Sequence, residues 1–261
     1  DERLNKLAEL VKPGRIVPAT CDIVDIAGLV KGASQGEGLG NQFLGNIRET
    51  DAIIHVLRCF DNDNIVHVDG SVNPVRDKEI IDAELQLKDL ETVENRIKRV
   101  EKQARVGGDK QAKLEFDVLS AYRDALLQGK SARTVTFETE DEQAAAKSLF
   151  LLTTKPVLYV CNVDDTSAAN GNPYVEAVRE AIKDEEAELL IISAQTEADI
   201  AELESYEEKQ MFLEDMGLKE SGCDRLIKAI YKLLNLETFI TAGEMEVKAW
   251  TYRKGWKAPQ C

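Results

Sequence analysis

Residues 24–41 read VDIAGLVKGASQGEGLGN, and this stretch decides the fold that we predict for the chain. The apolar run before it, residues 19–24, predicts a β-strand that ends at Asp25. A glycine-rich loop follows from Gly28, so one carboxylate and a backbone N–H with no side chain in front of it come to the same point. Open α/β sheets bind their ligands at the carboxyl ends of strands. The stretch therefore predicts a binding site here, with Asp25 as an ordinary turn residue as the alternative.

Three further apolar runs follow, and they end in polar residues that suit a nucleotide site. They are residues 51–60 (DAIIHVLRCF), 156–165 (PVLYVCNVDD) and 189–194 (LLIISA). Near-continuous apolar runs are typical of strands buried on both faces of a parallel sheet, with helices as crossovers. The order Asp-x-x-Gly, Asn-x-x-Asp, Ser-Ala is that of the switch, base-reading and base-supporting elements of a GTPase-type fold. In that fold Asp25 holds Mg²⁺, usually through water, and the Gly28 amide contacts the terminal phosphate.

Longer matches make the resemblance specific. Residues 25–68 (DIAGLVKGASQGEGLGNQFLGNIRETDAIIHVLRCFDNDNIVHV) closely resemble the YchF family, also called Obg-like ATPases, as do NPYVEAVRE, EADIAEL and YKLLNLETFITAGEMEVKAWT further on. The resemblance implies a P-loop NTPase of the translation-factor class that hydrolyses ATP as well as or better than GTP and associates with ribosomes. It also implies an inserted α-helical coiled-coil arm and a C-terminal TGS domain.

The resemblance implies a division of the chain into three parts. Residues 1–78 and 149–236 would form the α/β NTPase domain, residues 79–148 the helical insertion, and residues 237–261 the start of a truncated TGS domain. The motif G-x-x-x-x-G-K-[ST] does not occur in the 261 residues, and GEGLGN lacks its Lys-Ser/Thr pair. We therefore expect an internal fragment without the Walker A loop. Because that loop supplies most hydrogen bonds to phosphate, the fragment alone is expected to bind nucleotide poorly and to be inactive.

Composition limits the partners of the chain. It has 33 basic and 48 acidic residues, a net charge of -15, which opposes nonspecific nucleic-acid binding, and we expect no DNA partner. No 18-residue apolar run or signal-like start occurs, so we expect a cytoplasmic protein without a membrane partner. The five cysteines are scattered, without metal-ligand spacing, and are expected to be reduced thiols.

A ribosomal partner would need a local basic patch, and the predicted helical insertion offers one. Helical spacing of apolar residues from Ile81 to Val100 and from Leu114 to Leu126, with a break at Gly107-Gly108, predicts an antiparallel hairpin. Residues 96–105 (RIKRVEKQAR) hold five basic residues and one acidic residue near its tip. A solvated helix face is the plain interpretation; a surface that binds rRNA or ribosomal protein is the sharper one.

Base choice depends on residues 162–165 (NVDD). GTPases use Asn-Lys-x-Asp, whose Asp accepts guanine N1–H and N2–H. Here Asn162 would still bond the purine edge, Val163 would replace the missing Lys stem with apolar contact, and Asp165 is GTPase-like. Ser193 and Ala194 would support the base, and Phe60, which faces the pocket in the family, could pack on it. We predict ATP with GTP tolerated as substrate; a conventional GTPase, or an Asp165 that merely starts a turn, are the alternatives.

The sequence offers few side chains that could activate water, and it has two histidines. Leu29 stands where many GTPases place a water-orienting Gln, and it cannot form a hydrogen bond. His55 lies inside an apolar run and is predicted to be a structural strand residue. The family's proposed catalytic histidine falls on His67, which could orient or deprotonate water, or could simply cap a turn. A noncatalytic module that binds protein or RNA through the hairpin is the alternative function.

Overall fold

The computed structural model describes residues 2–26, 40–67, 70–106 and 109–261. In chain order the helices and strands are α1 (Glu2–Val11), β1 (Arg15–Val17), α2 (Gly40–Glu49), β2 (Ile53–Arg58), α3 (Pro74–Val106), α4 (Lys110–Leu127), α5 (Glu140–Lys147), β3 (Val157–Asn162), α6 (Pro173–Ala181), β4 (Glu188–Ile192), α7 (Ala194–Glu202), α8 (Tyr206–Asp215), α9 (Gly222–Leu233), β5 (Leu236–Ala242) and β6 (Glu246–Arg253). They form two units: Asp1–Asp25 with Glu220–Cys261, and Ile26–Lys219.

The second unit contains a parallel sheet in the order β2–β3–β4. This confirms the α/β class and the three strands predicted after residue 50. β3 is buried from Val157 to Cys161, on both of its faces, as the unbroken apolar run indicated. The side chains of its odd-numbered residues pack into one core cluster, which also holds residues of β2 and α6: Leu57, Cys59, Val157, Tyr159, Cys161, Val163, Val175, Val178 and Ile182.

The strand predicted at residues 19–24 is wrong. The chain has no regular structure from residue 18 to residue 26, and the side chain of Val24 is 59% exposed. The strand lies earlier, at β1, and it ends before Pro18, whose nitrogen has no hydrogen to donate to a ladder. Apolar character alone does not make a strand, because a strand needs a neighbour to pair with.

The first unit is a small mixed sheet covered by α1. The strand order is β1–β6–β5, with β1 parallel and β5 antiparallel to β6. Leu4 of α1 packs on Val247 and Ala249 of β6. The unit thus combines residues from both ends of the chain. The domain boundaries given above remain predictions.

The helices α3 and α4 pair side by side, as the helical spacing predicted. Val93 and Ile97 of α3 share a core cluster with Val118, Leu119 and Tyr122 of α4. Asp109 caps α4 by accepting hydrogen bonds from two backbone N–H groups of its first turn. The expected Gly107-Gly108 turn lies outside the described residues.

Asp89, buried in the middle of α3, ties that helix to the segment before β3. Its carboxylate accepts hydrogen bonds from the backbone N–H groups of Leu152 (2.8 Å) and Thr153 (2.7 Å) and from the Thr153 hydroxyl (2.7 Å). Burial raises the pKa of the Asp89 carboxyl, and these three donors oppose that shift. One buried side chain thus links the helical pair to the segment that leads into the sheet.

Two further predictions concern the whole chain. None of the five cysteines, all of which lie within the described ranges, forms a disulfide; Cys59 and Cys161 are buried, and reduced thiols stay a prediction. Among the helices of the described ranges, none combines the length and the apolar character that crossing a bilayer requires.

Candidate functional site

The carboxyl ends of the parallel strands lie level at one edge of the sheet. Arg58, the last residue of β2, pairs with Asn162, the last residue of β3, and Asn162 pairs with Ile192, the last residue of β4. The polar residues that follow these ends therefore meet at the same edge. Ligands of α/β folds bind at this position.

Asn162 joins β3 to the start of α7. Its Oδ1 accepts a hydrogen bond of 3.0 Å from the backbone N–H of Ala194, the first residue of that helix. The donor is a backbone N–H, so the acceptor must be the side-chain oxygen, and the Asn162 amide NH₂ is left as the donor of the pair. The sheet edge thus presents an amide donor beside a helix N-terminus. The structure brings Asn162 and Ala194 together as the sequence predicted.

Asp165 makes a second link between the segment after β3 and the start of α7. Its Oδ1 accepts hydrogen bonds from the hydroxyls of Ser193 (2.6 Å) and Thr196 (2.9 Å). Ser193 also accepts a hydrogen bond from the Thr196 backbone N–H (3.2 Å) and so caps α7. Asp165 is exposed, whereas both hydroxyl residues are buried. Thr196 was missed by the sequence analysis; its signal is its place three residues after a Ser that caps a helix.

The structure differs from the prediction at Val163. Its side chain is 3% exposed and belongs to the core cluster beneath the sheet, so it does not present an apolar surface to a base. Side chains alternate between the two faces of a strand, and Val163 continues the series of Val157, Tyr159 and Cys161. That alternation was the available signal.

Phe60 follows β2 on the same edge, where Arg58 holds it. The Arg58 guanidinium lies 4.9 Å from the centre of the Phe60 ring. It also donates hydrogen bonds to the backbone oxygens of Phe60 (3.1 Å), Asn62 (3.2 Å) and Ile65 (2.9 Å). One side chain therefore shapes the loop after β2. Arg58 was not among the predicted site residues, although a basic residue within an apolar run was a visible signal.

Backbone and side-chain hydrogen bonds attach this loop to the other strand ends. The Cys59 N–H donates to the Asn162 backbone oxygen (2.8 Å), which extends the pairing one residue beyond β2. The Cys59 oxygen accepts from Asn172 Nδ2 (2.7 Å), while Asn172 Oδ1 caps α6. The loop after β2 is therefore hydrogen-bonded both to the end of β3 and to the start of α6.

His67 is held at the start of α3. Its Nε2 lies 2.9 Å from Oδ2 of Asp77, and the His67 side chain is 17% exposed. Arg76 donates to the other oxygen of the same carboxylate. If Nε2 carries the proton, Nδ1 is the accepting nitrogen of the ring. The contact sets the orientation of the imidazole.

His55 lies within β2 and not at the strand ends. Its ring centre is 5.6 Å from that of Tyr159 on β3. Burial lowers the pKa of His55, and nearby Lys78 adds to this while Asp82 and Glu185 oppose it. This agrees with the predicted structural role.

Asp25 and Gly28 are the predicted metal and phosphate residues. Asp25 belongs to the first unit, where it is exposed, and Gly28 and Leu29 lie outside the described residues. Within the parts of the chain that the structure describes, no three His, Cys, Asp or Glu side chains are grouped to hold a metal ion. Asp25 offers the hard oxygen that Mg²⁺ prefers. NTPase sites bind Mg²⁺ through one or two carboxylates plus substrate phosphates, so the donor chemistry fits.

The basic residues near the end of α3 divide into two groups. Arg96 pairs with Glu115 of α4, and Arg105 pairs with Glu101. Lys98, Arg99 and Lys102 are exposed on the same helix. Three cations are thus presented to solvent in a chain of net charge -15.

Comparison with known proteins gives one consistent family. A family described as "50S ribosome-binding GTPase" matches residues 11–105. The chain is 54% identical over 263 residues to "Ribosome-binding ATPase YchF" of Bacillus subtilis (strain 168), covering all of this chain and 71% of that protein. It is 53% identical over 260 residues to the protein of the same name from Escherichia coli O157:H7, covering all of this chain and 70% of that protein. The solved "Structure of the Schizosaccharomyces pombe YchF GTPase" superposes with a TM-score of 0.85 at 35% identity, covering all of this chain and 70% of that one.

Proposed function

This chain belongs to the YchF family of ribosome-binding ATPases, and we propose that the full-length protein binds ATP at the β2–β3–β4 edge, tolerates GTP, and hydrolyses the nucleotide with Mg²⁺ to regulate a ribosomal partner, whereas the 261 residues alone bind nucleotide poorly and are inactive. Membership of the family makes it a nucleotide-binding protein of the P-loop NTPase fold. The finer assignments below are the proposal.

One observation carries the proposal: Asn162 and Asp165, on one strand end, bond to Ala194, Ser193 and Thr196 on the next. This network crosses about 30 residues of chain and brings an amide donor and a carboxylate acceptor together at a ligand-binding edge. A purine edge carries donors and acceptors that such a pair can meet. Phe60, held under the Arg58 guanidinium, supplies an aromatic ring for stacking at the same edge.

Two features support ATP over GTP. The relatives from Bacillus subtilis and Escherichia coli O157:H7 are named ATPases. The Lys of Asn-Lys-x-Asp is absent, and its place is taken by Val163, whose side chain is buried in the core. The base is therefore held through Asn162, Asp165 and Phe60 without a lysine stem over it.

The residues that would meet the phosphates and the attacking water follow from the Asp-x-x-Gly motif and from the contact of His67 with Asp77. Asp25 would hold Mg²⁺, usually through water, and Gly28 would bond the terminal phosphate through its N–H. Mg²⁺ neutralises the phosphate charge that develops during hydrolysis. His67, held by Asp77, would orient the attacking water or accept its proton. The hydrogen bond to Asp77 supports this role because it fixes the orientation of the ring.

The ribosomal contact is assigned to the end of the helical pair. Lys98, Arg99 and Lys102 give an exposed cationic surface on an otherwise acidic chain, which suits rRNA phosphates or an acidic ribosomal protein. Arg96 and Arg105 already pair with carboxylates and contribute less.

Titration of the full-length protein with fluorescent ATP and GTP tests the proposed site. Asn162→Ala removes the amide donor and is expected to weaken ATP binding about tenfold or more. Asn170→Ala, at an exposed asparagine in the loop after β3, is the matched control and should bind as the wild type does. Equal affinity of Asn162→Ala and wild type would remove this edge from nucleotide binding.

A further inference from the structure

The two oxygens of the Asp165 carboxylate differ in the hydrogen bonds that they accept. Ser193 and Thr196 both donate to Oδ1, at 2.6 and 2.9 Å. A carboxylate oxygen offers about two lone-pair directions, so these two hydroxyls saturate Oδ1. Asp165 is exposed, and among the described residues nothing donates to its Oδ2, which is the acceptor offered to a ligand.

The two donors differ in what else they do. Ser193 caps α7 through its bond from the Thr196 N–H, so its hydroxyl serves the helix as well as Asp165. Thr196 stands at the third helical position, where a Glu or Gln often reaches back to the capping residue. Its short side chain is 1% exposed and bonds Asp165 instead. The Thr196 hydroxyl therefore acts on Asp165 without holding the helix start.

Purines differ in the number of donors that they present to such a carboxylate. Guanine offers N1–H and N2–H side by side, which a carboxylate with two available oxygens meets with two bonds. Adenine offers its 6-amino group. Hypoxanthine offers N1–H but has no 2-amino group. A carboxylate with one available oxygen therefore loses the second bond to guanine and loses nothing toward adenine.

We propose that Thr196 is a positioning residue that sets base choice: by holding Oδ1 of Asp165 it leaves one accepting oxygen, which serves adenine and denies guanine a bidentate contact. This rests on the proposed function, because it requires the purine to meet Asp165. It assigns the specificity to a residue that lies outside the Asn-x-x-Asp motif.

The test measures dissociation constants for ATP, GTP and inosine triphosphate with the full-length protein. Wild type should bind GTP and inosine triphosphate about equally, since its carboxylate cannot use the 2-amino group. Thr196→Val keeps the shape of the side chain and frees one lone pair of Oδ1. GTP should then bind about tenfold more tightly, with ATP and inosine triphosphate changed by less than about twofold.

Two further variants control the test. Thr196→Ser keeps the hydroxyl and should keep the wild-type ratio of GTP to inosine triphosphate. Thr166→Val removes a similar bond, from the Thr166 hydroxyl to the neighbouring Asp164, and should leave the ratio unchanged. Should Thr196→Val unfold at assay temperature, Thr196→Ala is measured in its place, because it also frees Oδ1.

The outcomes separate the two proposals. If ATP binds but the ratio of the GTP and inosine triphosphate dissociation constants is the same in wild type and in Thr196→Val or Thr196→Ala, the proposed function stands and the role of Thr196 is overturned. A wild type that already binds GTP about tenfold more tightly than inosine triphosphate overturns it too. Wild type that binds none of the three nucleotides refutes the proposed function itself.

Discussion

Asp89→Asn tests how the helical pair is anchored to the sheet. The carboxylate accepts from two backbone N–H groups and one hydroxyl, at 2.7 to 2.8 Å, with no exposed surface. An amide with its oxygen at the Oδ2 position keeps both bonds from Thr153 and turns its NH₂ toward the backbone N–H of Leu152. That N–H is then left unsatisfied, which costs about 1–3 kcal/mol, and the two remaining bonds lose their charge assistance.

A gain in solvation opposes this loss. Burial raises the pKa of Asp89, so the neutral amide is easier to bury than the carboxylate. The net loss in the free energy of unfolding is expected to be about 2 kcal/mol. For a unit of the size of residues 26–219 this lowers Tm by about 4–8 °C.

Thermal unfolding followed by two signals measures the effect. Far-UV circular dichroism reports the helices, whereas tryptophan fluorescence reports the first unit alone, because Trp250 and Trp256 both lie there. Asp124→Asn, at an exposed aspartate on α4, is the matched control and should stay within about 0.5 kcal/mol of wild type. An Asp89→Asn transition within 1 °C of wild type by circular dichroism, about the error of the measurement, would refute the reasoning.

Three other predictions address catalysis, pH and the ribosomal surface. His67→Ala should lower ATP turnover about 100-fold while leaving ATP affinity intact, and unchanged turnover in a steady-state phosphate-release assay would exclude His67 from the mechanism. Burial lowers the pKa of His55, so below about pH 6.5 the unfolded chain binds a proton at this histidine that the folded chain does not bind. The free energy of unfolding should therefore fall as the pH drops through this range. In thermal melts at a series of pH values, His55→Gln should show a smaller fall than wild type. Replacing the three exposed cations of α3, Lys98, Arg99 and Lys102, with Gln should weaken co-sedimentation with ribosomes and reduce its salt dependence. The matched control replaces the exposed Lys130, Lys147 and Lys219 with Gln and should co-sediment as wild type does. Equal losses in both triple variants would contradict a localised surface.

The parts of the fold that could be predicted depend on local patterns. β3 was found because a strand buried on both faces is apolar throughout, and the apolar runs of β2 and β4 located those strands although they are mostly half-buried. Asn162 and Ser193 met because parallel strands end level. The strand at residues 19–24 failed because pairing depends on a distant neighbour, and here the partner strand β6 takes β1 instead. Pro18 marked that boundary in the sequence.

Among the site residues too, local patterns could place some side chains, whereas long-range contacts could not be predicted. Val163 was misplaced because the apolar run was treated as one surface, whereas alternation from Tyr159 puts Val163 in the core. The bond from Thr196 to Asp165 spans two loops and follows only once α7 is known to start at Ser193. Long-range side-chain contacts of this kind have no period in the sequence from which to predict them.

The two sides of the candidate site are held by different kinds of bond. The base edge rests on the sheet: strand pairing continues through Cys59 to Asn162, and the capped start of α7 closes it. The loop that carries His67 is joined to β2 and α3 by side chains, namely Arg58 on loop carbonyls and Asp77 on the imidazole, while its backbone bonds from Ile65 to Asn62 and from Gly70 to His67 are local. On the proposed function we expect this loop to open at lower free energy than the base edge, because side-chain bonds break without disturbing a strand. The protein would then keep the base bound while His67 responds to the phosphates.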